Sequence, residues 1–376
     1  MRNVNSVKMP TDLIYQQNPN FPNRYISPEK LFSYLQSNLS DYISEIGTST
    51  LGKPIYKMTL GKGKIKIIAW SQMHGNESNA SHAMLDLWES LRHQPDVKNE
   101  LFERITLDFI FMLNPDGSEK WTRRNALDID MNRDFHKESS KEFSILKSII
   151  LNNHYDFGLN LHEQRTIFST DGIHPATLSF LSPSEDASRE ITENRKKSMA
   201  IISKIVEKLK TEIPHQIARY SDEFYPTSIG DNLMKLGLLN ILFEGGHFVE
   251  DYKRVGTRKY YTLALYECLK AISELKGSTK NWEKYFEIPE NKETHYDIIY
   301  RNVKLNTDFP CVVDVAIQFK EEFKEGNDEI SFVPIVVEVG DCGRKKGWKE
   351  IDCTRKFFKS ESKFPKLDEV QNFEMV

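Results

Sequence analysis

No stretch of this 376-residue chain approaches the run of about eighteen uninterrupted apolar residues that a membrane span needs. Residues Met1 to Asn20 lack the basic-then-apolar pattern of a secretion leader, so the expected location is the cytoplasm. Charge of one sign is also missing: 51 Lys and Arg stand against 55 Asp and Glu, a formal net charge of -4. Such a balance creates no strong field for nucleic acid or an anionic membrane, and neither is an expected partner. Cysteine is scarce: Cys268, Cys311, Cys342 and Cys353 show no Cys-x-x-Cys spacing and lie far from the histidines. Three of them sit in about the last seventy residues, where a disulfide is conceivable in an oxidising compartment, while reduced thiols fit the expected cytoplasm. The His-Glu-x-x-His pattern of one-helix zinc proteases is absent as well.

What the chain does contain is an alternation of buried-type strands with helical patterns. Leu31, Leu35, Leu39 and Tyr42 are spaced for an amphipathic helix over residues 28–44. Thr50 to Leu60 reads as one strand and Ile65 to Trp70 as a second, more buried one. A long helix follows, with Glu77 expected in its first turn and Leu85, Trp88 and Leu91 among its apolar positions. The runs Ile105 to Leu113, Tyr155 to Leu161 and Leu238 to Phe243 are further strands, and residues 189–213 carry Ile201, Ile202, Ile205 and Leu209 at helical intervals. This order predicts an α/β fold with a mixed, largely parallel central sheet and helices on both faces.

Length argues for more than one core. After about residue 276, helical patterns give way to short β-like runs at Tyr296 to Leu305, Cys311 to Phe319, Ile330 to Val339 and Trp348 to Cys353. Residues 1–276 are expected to form the catalytic domain and 281–376 a small β-rich accessory domain with a loose charged tail from Lys356. The chain says nothing of how many subunits assemble.

The chemistry gathers at strand ends. His74 and Glu77 follow the Ile65 to Trp70 run, His162 follows the Tyr155 run, and Glu244 follows the Leu238 run. In open α/β sheets the carboxyl edge is where ligands bind. Imidazole nitrogens and carboxylate oxygens are good Zn²⁺ ligands, and catalytic zinc sites take three protein ligands and leave one position open. Buried acidic groups must be paired or bound to metal, which disfavours a packing explanation for this convergence.

Between these residues lies Arg123-Arg124-Asn125-Ala126-Leu127-Asp128-Ile129-Asp130-Met131-Asn132-Arg133, preceded by Asn114-Pro115-Asp116-Gly117. In the order and spacing of His74-x-x-Glu77, the Asn-Pro-Asp-Gly turn, Arg123, Asn132-Arg133, His162 and Glu244, the chain resembles the zinc metallocarboxypeptidase (funnelin-like) family over roughly residues 50–275. The resemblance implies an exopeptidase that acts on a peptide or protein C-terminus with one zinc ion per chain, held by His74, Glu77 and His162. It further implies Glu244 as general base, Arg123 on the oxyanion, Asn132 and Arg133 on the terminal carboxylate, and Asp130 behind a zinc-bound imidazole. Tyr225, with Tyr220 as rival, matches the tyrosine that covers substrate. The oxyanion assignment is open by one position because Arg124 adjoins Arg123.

The sequence departs from the family pattern where Asp128 stands in place of a usual glycine. Ile229 lies about where the family places its specificity residue. Arg165 reads equally as a substrate anchor or a paired structural arginine. A related zinc deacylase acting on N-acyl amino acids, aspartoacylase-like, carries the same ligands and an Asp-x-Asn-Arg segment, and is the alternative enzyme reading. A non-catalytic binding module is the other alternative, and it requires that ligands or base have been lost.

Overall fold

Alternation along the apolar runs decides the layers. In β3 (Ile65–Trp70), Ile67 and Ala69 face one hydrophobic cluster while Ile68 and Trp70 face another. The two-residue period of a strand sends successive side chains to opposite sides, so a strand apolar at every position must be covered twice. The computed structural model describes residues 11–305 and 311–376.

Eight strands form the central sheet in the order β1-β2-β4-β3-β5-β8-β6-β7. These are β1 (Ile43–Thr48), β2 (Pro54–Leu60), β3, β4 (Ile105–Phe111), β5 (Phe157–Glu163), β6 (Leu178–Leu181), β7 (Ile217–Arg219) and β8 (Leu239–Gly245). The four strands β4, β3, β5 and β8 run parallel, while β1, β2 and β6 pair antiparallel to their inner neighbours, so the sheet is mixed around a parallel centre. Helices α1 (Pro28–Asn38), α2 (Asn79–Arg92), α3 (Pro95–Arg104), α6 (Glu193–Leu209) and α8 (Val255–Leu275) put residues into the larger cluster. The opposite face packs α5 (Lys141–Asn152) and α7 (Ile229–Lys235), and the short α4 (Pro115–Glu119) follows β4.

A second sheet, β11-β10-β9-β12, is built from β9 (His295–Lys304), β10 (Val312–Phe323), β11 (Ile330–Gly340) and β12 (Lys346–Asp352). It has its own apolar clusters around Val303, Val315, Ile317 and Val336, and around Ile299 and Ala316. Residues 282–288 do not join it, because Tyr285 and Ile288 pack into the larger cluster of the central sheet. The tail expected to be loose instead pairs β13 (Phe358–Ser360) with β14 (Phe373–Met375), whose Phe358 and Phe373 are buried. No helix among the described residues is long and apolar enough to cross a membrane, and all four cysteines are free.

Local chemistry moved several boundaries. Helix α1 starts where Ser27 accepts from the Lys30 amide with proline at the first helical turn, but it ends at Asn38. Tyr42, counted as helical from its spacing, lies beyond it, with its ring against Trp88 at 4.9 Å. The expected Thr50–Leu60 strand is cut by a hairpin turn: Gly52, at φ +86°, lets its amide reach the Ser49 carbonyl at 3.1 Å. Residues 43–48 take the strand on the other side of that turn.

One buried ion pair anchors the loop that carries Tyr225. Arg195 on α6 is fully buried and meets Asp222 at 2.6 Å. Burial opposes ionisation of Asp222, but Arg195 and Arg189 outweigh it and hold its carboxyl below the ordinary range. Asp222→Asn strands a buried guanidinium, and urea unfolding is expected to show a loss of about 3 kcal/mol near neutral pH. Because the folded-state pKa is depressed, that difference between parent and variant is complete above about pH 4 and shrinks as the pH falls through the lower folded value. An equal difference at pH 2 and pH 7 would contradict the assignment.

Candidate metal centre

The loop after β3 is held in place before any metal is considered. Its backbone runs beside the end of β4, with the Leu113 amide on the Ser71 carbonyl and the Asn114 amide on the Gln72 carbonyl, both at 3.0 Å. Asn114 caps α4 by accepting from the Gly117 amide at 2.9 Å and donates weakly to the carbonyls of Met73 and Arg123. The Asn-Pro-Asp-Gly segment is thus a capped helical turn that ties the His74 loop to the Arg123 loop. Gly75 and Gly117 meet backbone to backbone there: a Cβ on Gly75 would lie 2.1 Å from the Gly117 carbonyl carbon. Glu77 sits two residues before α2 rather than in its first turn, and its amide closes on the His74 carbonyl at 3.1 Å.

His162 lies at the end of β5, within the strand, and is paired in register with Glu244 on β8. Adjacent strands are about 4.8 Å apart, so the base candidate stands directly beside a ligand candidate. His74, Glu77 and His162 are each 2% exposed. Their ligand atoms all lie within 4.8 Å of one another. His74 Nδ1 is 2.8 Å from Glu77 Oε1, His162 Nδ1 is 3.0 Å from Glu77 Oε2, and the two Nδ1 atoms are 3.2 Å apart.

This crowding of lone pairs calls for positive charge. The Nε2 atom of His74 faces Asp130 Oδ1 at 3.1 Å, an arrangement that favours the ring proton on Nε2 and leaves the lone pair of Nδ1 toward the centre. Arg123 Nη1 points at that same Nδ1 at 3.1 Å and at Glu77 Oε1 at 3.3 Å. Burial opposes the charge on Glu77, yet His74 and His162 outweigh it and keep the carboxyl well below its usual range. Burial pushes His162 below the ordinary imidazole value, toward the neutral form that a metal requires. Burial opposes charge on His74, but Glu77 and Asp130 outweigh it and raise that imidazole, so the centre draws positive charge to itself; two imidazoles and an ionised carboxylate, with a carboxylate behind one ring, are a donor set that fits Zn²⁺.

The remaining predicted residues ring this centre. Asp130 accepts from the Asn132 amide through Oδ1 at 3.0 Å and from Arg123 Nε through Oδ2 at 3.1 Å, so it orders both the ligand ring and the guanidinium. Although burial opposes it, contact with His74 and Arg123 lowers the Asp130 carboxyl. Arg124 turns away to the Asp128 carbonyl at 2.8 Å, which leaves Arg123 as the arginine at the centre. Asp128 takes φ +61°, a left-handed conformation that glycine adopts without cost and that aspartate tolerates. Asn132 accepts from the Ile229 amide at 3.2 Å. Arg133 is exposed, with its guanidinium 4.6 Å from the ring centroid of Tyr225. Tyr225 is itself 51% exposed, whereas Tyr220 is largely buried against Phe168 and feels the charge of Glu244. Glu244 is partly exposed; burial raises its carboxyl well above the usual range, Glu77 adds to this and Arg123 opposes it.

Three further residues near the centre are engaged elsewhere. Arg165 is a paired arginine, bonded to the Asn76 carbonyl at 2.9 Å and to Glu321. His247, close to Glu244 in sequence, turns its ring away to Tyr252 and Trp348. Ile229 is buried in the smaller cluster of the central sheet and offers its amide, not its side chain, toward Asn132. Sequence reading missed the groups behind the centre. Glu163 is fully buried and sits among Arg24, Arg165 and Arg254. Its position directly after His162 was a visible signal, since a charge ending a buried strand needs partners. Arg24 and Glu321 carry no such local mark.

A family model described as zinc carboxypeptidase matches residues 30–227, just over half of the chain. The chain belongs to the zinc carboxypeptidase family and is a metallocarboxypeptidase. The match ends before Glu244, whose place beside His162 rests on the strand pairing. Comparison with curated protein sequences finds no match. Among solved structures, the fold is similar to a metallo-carboxypeptidase from Burkholderia cenocepacia, with 18% identity, TM-score 0.53, and coverage of 66% of this chain and 69% of that one. A metallo-carboxypeptidase from Pseudomonas aeruginosa, solved with (2-guanidinoethylmercapto)succinic acid, has 16% identity, TM-score 0.54, and coverage of 68% and 70%. Bovine thrombin-activatable fibrinolysis inhibitor, solved with a tick carboxypeptidase inhibitor, has 18% identity, TM-score 0.51, and coverage of 65% and 96%.

Proposed function

We propose that this chain is a zinc-dependent exopeptidase that hydrolyses the C-terminal peptide bond of a peptide or protein. The observation that carries the reading is the meeting of His74, Glu77 and His162 within 4.8 Å, with Glu244 in register beside His162. His74 and His162 through Nδ1, and Glu77 through its carboxylate, would hold the ion. A zinc ion there supplies polarisation of the scissile carbonyl and acidification of a water.

The rest is the work of the chain's own groups. Glu244 takes the proton of the attacking water and passes it to the departing amine nitrogen. Arg123, held by Asp130, offers guanidinium donors where negative charge builds on the former carbonyl oxygen. Arg133, with Asn132 beside it, binds the terminal carboxylate: a planar guanidinium presents two parallel donors, which a lysine cannot. Tyr225 stacks on that guanidinium and covers the bound chain end.

The deciding experiment compares one peptide with a free and with an amidated C-terminus, alongside N-acyl amino acids. Amidation removes the charged partner of Arg133 and is expected to lower kcat/KM about 100-fold, the effect of roughly 3 kcal/mol of charge-assisted hydrogen bonding. Arg133→Lys should shrink that ratio toward one. Equal turnover of free and amidated peptides would defeat the exopeptidase reading, and preference for N-acyl amino acids would favour the deacylase.

A further inference from the structure

The metal-bearing loops share a buried ionic cluster with one residue from the second sheet. Glu321, on β10, accepts from Trp121 Nε1 at 2.9 Å and contacts both Arg24 and Arg165. Its side chain is only 7% exposed. Each of these partners reaches a different part of the centre. Arg165 donates to the carbonyl of Asn76, inside the His74-Gly75-Asn76-Glu77 turn, at 2.9 Å. Arg24 lies 2.5 Å from Glu163, the neighbour of His162. Trp121 stands two residues before Arg123 and is stacked upon by Arg24 and Arg165 at 5.7 and 5.8 Å.

Glu163 completes the linkage. Its amide donates to Glu77 Oε2 at 3.2 Å, and its carboxylate accepts from the Asn79 amide at 3.1 Å, at the start of α2. Arg254 approaches that carboxylate at 3.4 Å and donates to the carbonyls of Gln164 and Gly246, the latter two residues past Glu244. Three guanidiniums therefore share two carboxylates, and one of the two belongs to the second sheet. Without Glu321, Trp121 loses its acceptor, and Arg24, Arg165 and Arg254 are left to share Glu163 alone. A buried charge left unpaired rearranges its surroundings, and here those surroundings are the turns that carry the ligands. Stacking of Phe323 on Tyr25 at 4.1 Å fixes the same end of β10 against the N-terminal segment.

We propose that Glu321 is a positioning residue for the metal centre, so that the second sheet completes the geometry of the His74, Glu77 and His162 set instead of being a separable appendage. The proposal rests on the reading that those three residues hold a divalent cation. The test measures Zn²⁺ affinity of the full-length chain by competition with a chromophoric chelator, together with thermal unfolding. Glu321→Gln is expected to weaken zinc about tenfold or more, on the scale of outer-shell losses, and Glu321→Asp to recover part of it. Val336→Ala, which loosens the apolar cluster of the same sheet, should lower Tm while leaving zinc affinity within about twofold of the parent. If Glu321→Gln does not fold, Trp121→Phe removes one donor to Glu321 while keeping the charges, and about a threefold loss is expected. Parent-like zinc affinity in the folded Glu321→Gln chain, or in both Glu321→Asp and Trp121→Phe when it does not fold, overturns the proposal. A parent chain that binds no zinc would instead overturn the metal reading beneath it.

Discussion

Glu244→Gln is expected to keep its metal and lose its rate, with kcat falling about 10²- to 10⁴-fold, the usual span of a lost general acid–base group. Glutamine has nearly the same shape and cannot accept the water's proton. His74, Glu77 and His162 make their contacts to one another and to Asp130 and Arg123, and none of those bonds runs through the Glu244 side chain. Metal content should therefore stay at one ion per chain and KM should change little. Loss of zinc together with activity would show that Glu244 supports the centre structurally, and unchanged turnover would remove it from the mechanism.

Removing the cation should have the other large effect. Two buried imidazoles and a buried carboxylate face one another at 2.8 to 3.2 Å, so the stripped chain must satisfy them with protons and Arg123. Turnover is expected to vanish on chelation and return with Zn²⁺. Binding to the folded chain alone raises stability by about 4 kcal/mol when free zinc is a thousand times Kd, which calorimetry reads as a Tm that climbs with zinc concentration. His162→Ala should cost zinc affinity about a hundredfold or more, exceeding what outer-shell changes do. A chelated chain that still cleaves peptide, with unmoved Tm, would end the metal reading.

Much of this site was legible in one dimension because it sits at strand ends. An apolar run that stops on His, Glu or Arg-rich sequence marks the carboxyl edge of a parallel sheet, and His74, His162 and Glu244 are all found there. Asp130 was marked only through the family resemblance, by its place two residues before Asn132. The choice of Arg123 over Arg124 was not legible. Adjacent residues in an irregular loop point in directions set by backbone angles and distant partners, here Asp130 for one and the Asp128 carbonyl for the other.

The hairpin at Gly52 and the pairing of the tail show the same limit from the side of the fold. Helical spacing at residues 31–42 was real as far as Asn38; the chain turns over residues 39–42, and Ile43 and Ser44 join β1 opposite Met58 and Lys57. Residues 358–375 are charged and polar in the main, and only the burial of Phe358 and Phe373 against the second sheet makes strands of them.

Periodicity along the chain was sufficient for the α/β class, which depends on short-range pattern, while the roles expected of His74, Glu77, His162 and Glu244 came with the family resemblance. How Arg24, Glu163, Arg165, Arg254 and Glu321 meet was decided in space alone. Their separations in sequence run to hundreds of residues, and what joins them is the need of every buried charge for a partner, which has no period along the chain.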